Sequence, residues 1–125
     1  MEKRFLVIED IDAYKSAFKL SNYVWSTVIQ WDKFTKWTLG QQYVEAIDSI
    51  SANLAEGYGR YYKKDKIKFY KYSYGSLEEG KDWTRKERAR YALTEEEYNH
   101  IMRYLNELPK SINQLIKYTN EKLNF

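Results

Sequence analysis

Apolar residues recur at three- and four-residue steps along most of this chain, the period of a helix with one buried face. Ile11, Tyr14, Phe18, Ser21, Trp25 and Val28 share such a face, which predicts a first helix from about Asp12 to Ile29. Asp10 or Asp12 can cap it by accepting from the free N–H groups of its first turn. "WDKFTKWTLG" breaks the period and reads as a connection. A second helix is predicted from near Thr38 to Tyr58, with the stripe Leu39, Tyr43, Ala46, Ile47, Ile50, Leu54 and Gly57. Gly59 is placed to end it, because glycine enters the left-handed conformation without steric cost.

A third helix is expected from Lys64 or Asp65 to about Arg90, and it carries two apolar sectors. Ile67, Tyr70, Tyr74 and Leu77 form one; Phe69, Tyr72 and Trp83 form another, with Ser73, Ser76 and Gly80 between them. Together they cover more than half the circumference, whereas a helix in a lone bundle buries one stripe. Either a second partner, such as another subunit, covers the extra sector, or the face is simply wide. The fourth helix has the clearest start: Thr94 as N-cap and Glu97 three residues on form a capping box, with Leu93 and Tyr98 as its hydrophobic staple. Its stripe runs Tyr98, Ile101, Met102, Leu105, Leu108, Ile112, Leu115, Ile116 and Thr119. Pro109 removes a backbone donor inside that run and is expected to kink or split the helix. The tail from Glu121 is expected to fray.

Long helices with short connections pack antiparallel. The expected fold is therefore all-α, an antiparallel up-down four-helix bundle, with residues 1–125 as one domain. One proline and five glycines in 125 residues agree with long helices. The apolar run Phe5 to Ile8 is too short for a signal-peptide core, and acids follow it directly. No stretch approaches the ~20 apolar residues of a membrane helix, so a soluble chain with no membrane partner is expected. The absence of cysteine excludes disulfides and thiolate metal sites and fits a cytoplasmic location.

Charge changes the picture more than composition does. Residues 1–59 carry a net −2 and residues 91–125 a net −1, whereas residues 60–90 carry +6, from eleven basic and five acidic side chains. So local a positive block is a candidate polyanion footprint. Its candidate ligands to phosphate are Arg60, Lys63, Lys64, Lys68, Lys71, Arg85, Lys86 and Arg88, interleaved with Tyr61, Tyr62, Tyr72 and Tyr91. The other reading is a solvated lysine face that keeps the protein soluble.

"SISANLAEGYGR" at residues 49–60, followed by "KKDKIKFYKYSYGSLEEGKDW", resembles the four-helix bundle family encoded by intervening sequences of bacterial 23S ribosomal RNA. Ser49, Ile50, Asn53, Leu54, Ala55, Glu56, Gly57, Gly59 and Arg60 meet its first pattern, and Phe69, Gly75, Ser76, Leu77 and Glu79 its second. The resemblance covers about residues 10 to 120. It implies an up-down bundle assembling as a homopentamer around a central channel. The accessory variability protein of diversity-generating retroelements is a more distant likeness, and it implies a basic surface that binds nucleic acid. One departure weakens that implication: many relatives carry an arginine pair where this chain has Val44 and Glu45.

The motif itself reads as structural first. Asn53, Glu56, Gly57 and Arg60 share one side of the second helix, where Ser49, Ala52, Ala55 and Gly57 are small enough for another helix to approach. Gly75 and Ser76 can do the same from the third. Glu56 can pair with Arg60 four residues on, or Arg60 can reach Glu79 across the hairpin. With Phe69, Tyr72 and Trp83, these residues make the candidate packing or subunit-contact set. No catalytic set emerges. His100 lacks a second histidine or a cysteine, and Glu9, Asp10 and Asp12 read as helix-capping acids more simply than as a cation site. Gly57 and Gly59 close a helix rather than open one after a strand, so they do not make a phosphate loop. No cofactor and no metal are expected. The function expected is non-enzymatic: a homo-oligomer, a pentamer by the resemblance, that binds RNA or DNA without sequence preference through the third helix. The alternative is an oligomeric adaptor that binds another protein and no nucleic acid. An RNA hydrolase would need a divalent-metal site that the sequence does not supply.

Overall fold

A computed structural model describes residues 7–124. Phe5 and Leu6 of the N-terminal apolar run lie outside the described residues. Within them the chain is all-helical, with no strand. A short 3-10 turn, Ile8–Asp10, leads into a first helix, Asp12–Val28. The second helix runs without a loop through an α-helical turn Lys33–Thr35, a π-helical segment Lys36–Gly40 and an α-helix Gln41–Gly59. The third is Lys63–Ala89 and the fourth Glu95–Lys122.

The register between helices makes them antiparallel. Gly40 faces Val28, and Trp31 stacks near Tyr43 across the first connection. Tyr43 meets Thr84, Ile50 meets Ser73, and Gly57 meets Tyr70, so the third helix descends as the second climbs. Gly80 faces Leu105, and Tyr74 reaches Pro109, which turns the fourth helix back again. Leu20, Tyr43, Ile47, Ile50, Leu54, Tyr70, Leu77, Leu93, Ile101, Leu105, Leu108 and Ile112 are fully buried in one core.

The first helix departs from the expected face. Ala13, Ala17, Leu20, Val24 and Val28 are buried. Phe18 and Trp25 of the expected stripe are 52% and 54% exposed. The buried stripe is offset by about a quarter turn, because alanines at 13 and 17 allow an approach that the aromatic side chains would block. Its cap also differs: neither Asp10 nor Asp12 caps it, the N-cap is Ile11, and the preceding 3-10 turn supplies the lead-in.

The expected connection is helical. Asp32 is a side-chain N-cap, with Oδ1 accepting from the Thr35 N–H at 2.8 Å and Oδ2 from the Thr35 hydroxyl at 3.0 Å. The second helix thus starts at Lys33, not near Thr38. The period failed there because a π-turn inserts an extra residue and shifts the phase. That turn brings Gly40 against Val28, where a Cβ would lie 2.8 Å from Cγ1. Gly59 does not end the helix in the left-handed region: no glycine has positive φ, and Arg60 turns extended instead.

The left-handed position belongs to Tyr91, at φ 63°. The Ala92 N–H bonds the Glu87 carbonyl at 2.8 Å and the Tyr91 N–H the Arg88 carbonyl at 3.1 Å, which together close the third helix as a Schellman turn. At the next helix the capping box is present as expected, and Leu93 and Tyr98 both join the core. Pro109 does not split the fourth helix. The Tyr74 hydroxyl, 3.1 Å from the Pro109 carbonyl, and a short contact to Asn113 Oδ1 brace that turn. Glu121 and Lys122 remain helical rather than frayed.

The third helix faces the core with Tyr70, Ser73, Leu77, Gly80, Thr84 and Glu87, a stripe dominated by small or polar residues. Ser73 Oγ donates to the Ile50 carbonyl at 2.9 Å. Tyr43 donates to Thr84 at 2.8 Å, and Thr84 in turn donates to the Gly80 carbonyl at 2.7 Å. These bonds satisfy the buried hydroxyls, which would otherwise be costly.

Three substitutions follow from these geometries, one destabilising and two stabilising. Gly57→Ala would set a Cβ 2.7 Å from Tyr70 Cε1 and 2.8 Å from the Lys66 carbonyl, and is expected to destabilise by about 1–3 kcal/mol. Gly75→Ala meets nothing within 4 Å and is expected to stabilise by about 1 kcal/mol through helix propensity. Tyr91→Gly relieves the left-handed strain and is expected to stabilise by about 1 kcal/mol. Urea denaturation of the three variants beside wild type checks all three signs.

Candidate functional site

The third helix carries most of the basic residues, and its surroundings sort them into two groups. Lys63 Nζ donates to the carbonyls of Asn120 at 3.0 Å and Leu123 at 3.1 Å, so it caps the end of the fourth helix. Arg85 and Lys86 both reach Asp82, at 4.0 and 2.8 Å. The Lys86 hydrogen bond, aided by the charges of Lys86 and Arg85, holds the Asp82 carboxyl below its ordinary range. Arg88 donates to the Leu93 carbonyl at 3.0 Å and is half-buried. Lys66 donates to the Tyr58 carbonyl at 2.6 Å, and burial lowers its pKa.

Lys64, Lys68 and Lys71 form the second group. They are exposed, they share one helix face at spacings of four and three, and among the described residues none is ion-paired. A groove of about 510 Å³ lies along them, also lined by Lys63, Asp65, Ile67 and Asn120. Arg60 sits beside this row. It pairs with Glu56 at 2.6 Å and places its guanidinium 4.5 Å above the Phe69 ring. The alternative pairing with Glu79 does not form. Because Asn53 lies opposite Ser76, Arg60 falls opposite Phe69, ten residues and about 15 Å short of Glu79.

The motif residues divide in the same way. Asn53 Nδ2 donates to the Ser49 carbonyl at 3.0 Å and to Ser76 Oγ at 3.3 Å, a polar stitch between the second and third helices. Gly57 is the close approach that was expected. Gly75 is not: it faces open space, and Ala52 and Ala55 are exposed too. Tyr72 is 51% exposed and meets Phe69 edge-on at 5.2 Å. Trp83 is half-buried with Lys86 Nζ 5.3 Å above its ring, and it lines a polar groove with Glu79, Ser49, Trp37 and Gln42.

Two features escaped the sequence reading. The first is an apolar groove of about 350 Å³ between the first and second helices, lined by Trp25, Ile29, Trp37 and Val44. Trp37 beside it is 75% exposed and Phe34 77%. Both lie in the segment read as a connection, so their helical placement was hidden. Val44 and Glu45 line this groove, and Glu45 accepts from Gln41 at 3.4 Å.

The second is Glu87. It is fully buried, and neither carboxylate oxygen has a hydrogen-bond partner. Burial pushes its pKa to about 7, against the opposing charges of Arg90 and Lys86. Burial, chiefly, and the nearby Glu87 carboxylate also push the Tyr43 hydroxyl above its ordinary range, against the bond to Thr84. The steps from Ser73 through Leu77, Gly80 and Thr84 to Glu87 were a usable signal of this burial, masked by the charged neighbours Arg85, Lys86 and Arg88. His100 packs 4.2 Å from the Tyr23 ring and 5.3 Å from Tyr104. Among the described residues no group of three His, Asp or Glu side chains is placed to hold a metal, and no helix is long and apolar enough to cross a membrane.

A family model described as 23S rRNA-intervening sequence protein matches residues 9–114. The chain belongs to this family. Its fold is similar to a crystal structure from Bacteroides thetaiotaomicron, described as a protein with unknown function from the S23 ribosomal protein family. The TM-score is 0.73, with 84% of this chain and 98% of that chain covered, at 17% identity. No curated protein matches the chain. Within the family motif, then, Asn53, Gly57 and Ser76 join helices, while Glu56 and Arg60 form a surface pair beside Phe69.

The Glu87 geometry has a definite pH signature. The folded state holds this proton more tightly than the unfolded chain does. Its contribution to stability is therefore complete below about pH 4.5 and is lost as pH rises to about 7. Glu87→Gln keeps a neutral side chain of similar shape. Its advantage over wild type is expected to grow from near zero at pH 4.5 to about 3 kcal/mol at pH 8, read by urea denaturation across that range.

Proposed function

We propose that this family member works by assembly and charge rather than catalysis: a non-enzymatic, cytoplasmic homo-oligomer, a pentamer by family resemblance, that binds RNA or DNA without sequence preference through the third helix. The observation that carries the ligand reading is the exposed row Lys64, Lys68 and Lys71, a contiguous part of the basic block not engaged in ion pairs or helix caps. Such a row holds phosphates by releasing their counterions, which needs charge and exposure but no base contact. Repetition of the row in several copies multiplies the potential felt by one polyanion. The assembly reading is supported by the aromatic surface a single copy leaves uncovered, with Phe18, Trp25, Phe34 and Trp37 all more than half exposed. Clustered exposed aromatics of this size mark interaction surfaces.

A second reading is favoured by the groove at Trp25, Ile29, Trp37 and Val44. In it the oligomer is an adaptor whose apolar groove receives another protein, and the lysines serve solubility.

Charge reversal separates the two. Lys64→Glu, Lys68→Glu and Lys71→Glu together are expected to leave the helical spectrum intact and to lower affinity for labelled RNA and DNA at least tenfold at low salt. Wild-type affinity is expected to fall steeply between 50 and 200 mM salt. Absence of binding by wild type at low salt rejects the nucleic-acid reading in favour of the adaptor. Native mass measurement is expected to give a multiple of the 15.2 kDa chain; a lone chain at high concentration rejects assembly.

A further inference from the structure

The lysine row does not stand alone: aromatic rings frame it. Tyr72 follows Lys71 directly, is half exposed, and is propped edge-on against Phe69. Phe69 lies beneath two cations, the Arg60 guanidinium at 4.5 Å and Lys68 Nζ at 5.6 Å. At the start of the helix Tyr62 is 56% exposed and meets Tyr61 at 4.9 Å, nearly perpendicular. Beyond Tyr72 comes Gly75, with nothing within 4 Å of its would-be Cβ, so the backbone itself is approachable there. After that the outer face carries paired charges: Glu78, Glu79 and Asp82 are exposed, with Lys81 beside Glu78 and Arg85 and Lys86 beside Asp82.

This arrangement discriminates between polyanions. The positive row from Lys64 to Lys71 is about 10 Å long, the reach of about three nucleotides. A duplex offers only phosphates to it, since its bases are stacked on one another, and the exposed rings gain nothing. A stiff duplex laid along the helix also runs past Gly75 onto a segment where Lys81, Arg85 and Lys86 are already paired with Glu78 and Asp82, and it gains no open cation there. A single strand offers phosphates and unstacked bases together and can turn away before that paired segment. Stacking on an aromatic ring is tolerant of sequence because every base has a π-face.

Resting on the nucleic-acid reading above, we infer that the third-helix surface selects single-stranded polynucleotide. Phosphates sit at Lys64, Lys68 and Lys71, and a base stacks on Tyr72, which Phe69 holds in place. RNA and DNA share this chemistry, so both are probes.

The test is fluorescence anisotropy of the full-length protein with four labelled ligands: 20-nucleotide RNA and DNA single strands, and the 20-base-pair duplex of each. Single strands of either sugar are expected to bind at least tenfold tighter than the matching duplex. Tyr72→Ala is expected to lower single-strand affinity at least fivefold while leaving duplex affinity and the salt slope unchanged, and Tyr72→Phe to retain wild-type affinity. Duplex binding as tight as single-strand binding, with a steep salt dependence, overturns the selectivity and leaves the nucleic-acid reading standing. Equal losses for single strand and duplex in Tyr72→Ala overturn the stacking role. Failure of all four ligands at low salt overturns the nucleic-acid reading and this inference together.

Discussion

The bundle depends on how closely its second and third helices approach. At the Gly57 end, the Tyr70 ring and the Lys66 carbonyl occupy the space a Cβ would need. At the other end, Gly80 admits Ile47 Cδ1 in the same way, 2.9 Å from where its own Cβ would be. Between them Ser73 hydrogen-bonds the Ile50 backbone, which requires a side chain no longer than serine. Close-packed interiors tolerate little extra volume, so this seam sets the separation and register of the second and third helices. The Asn53–Ser76 contact then fixes the same register at the surface.

A seam of small residues has a consequence for the aromatic ones. Of the many aromatic residues, Tyr43 and Tyr70 are fully buried, with hydroxyls placed on Thr84 and Thr119. Others are displaced to flanks and connections: Phe18 and Trp25 beside the first helix's buried stripe, Phe34 and Trp37 on the helical segment after Asp32, and Tyr72 on the outer face of the third helix. The surface is therefore richer in large rings than a solitary bundle needs. Charge is redistributed similarly. Lys63 and Arg88 are consumed by helix ends, and Arg85 and Lys86 by Asp82. Along the third helix this leaves open a short row of three lysines next to aromatic side chains.

Glu87 shows the cost of continuing a buried stripe through a charged segment. Its position on the core face leaves both oxygens without partners, and that burial is what raises its pKa. The turn that follows is likewise strained, with Tyr91 in the left-handed region and 88% exposed. Both features sit where the third helix hands over to the fourth.

Much of the architecture was legible in the residues. The stripe Tyr43 to Gly57, the fourth helix's apolar face, the Thr94–Glu97 capping box and the family motif could all be read locally. Each is a periodicity or a contact over three or four residues along one helix. What could not be read that way depended on contacts between helices. The first helix turns Ala13 and Ala17 inward, rather than Phe18 and Trp25, because a neighbour's distance decides which stripe fits. The segment after Asp32 stays helical because a π-turn brings Gly40 to Val28, although it erases the apolar period. Which lysines stay open is settled by carbonyls and acids that lie as many as sixty residues away along the chain. Helix positions and the family were thus written in short-range spacing, whereas the buried face of the first helix, the open cations and the exposed rings were decided only when four helices competed for one core.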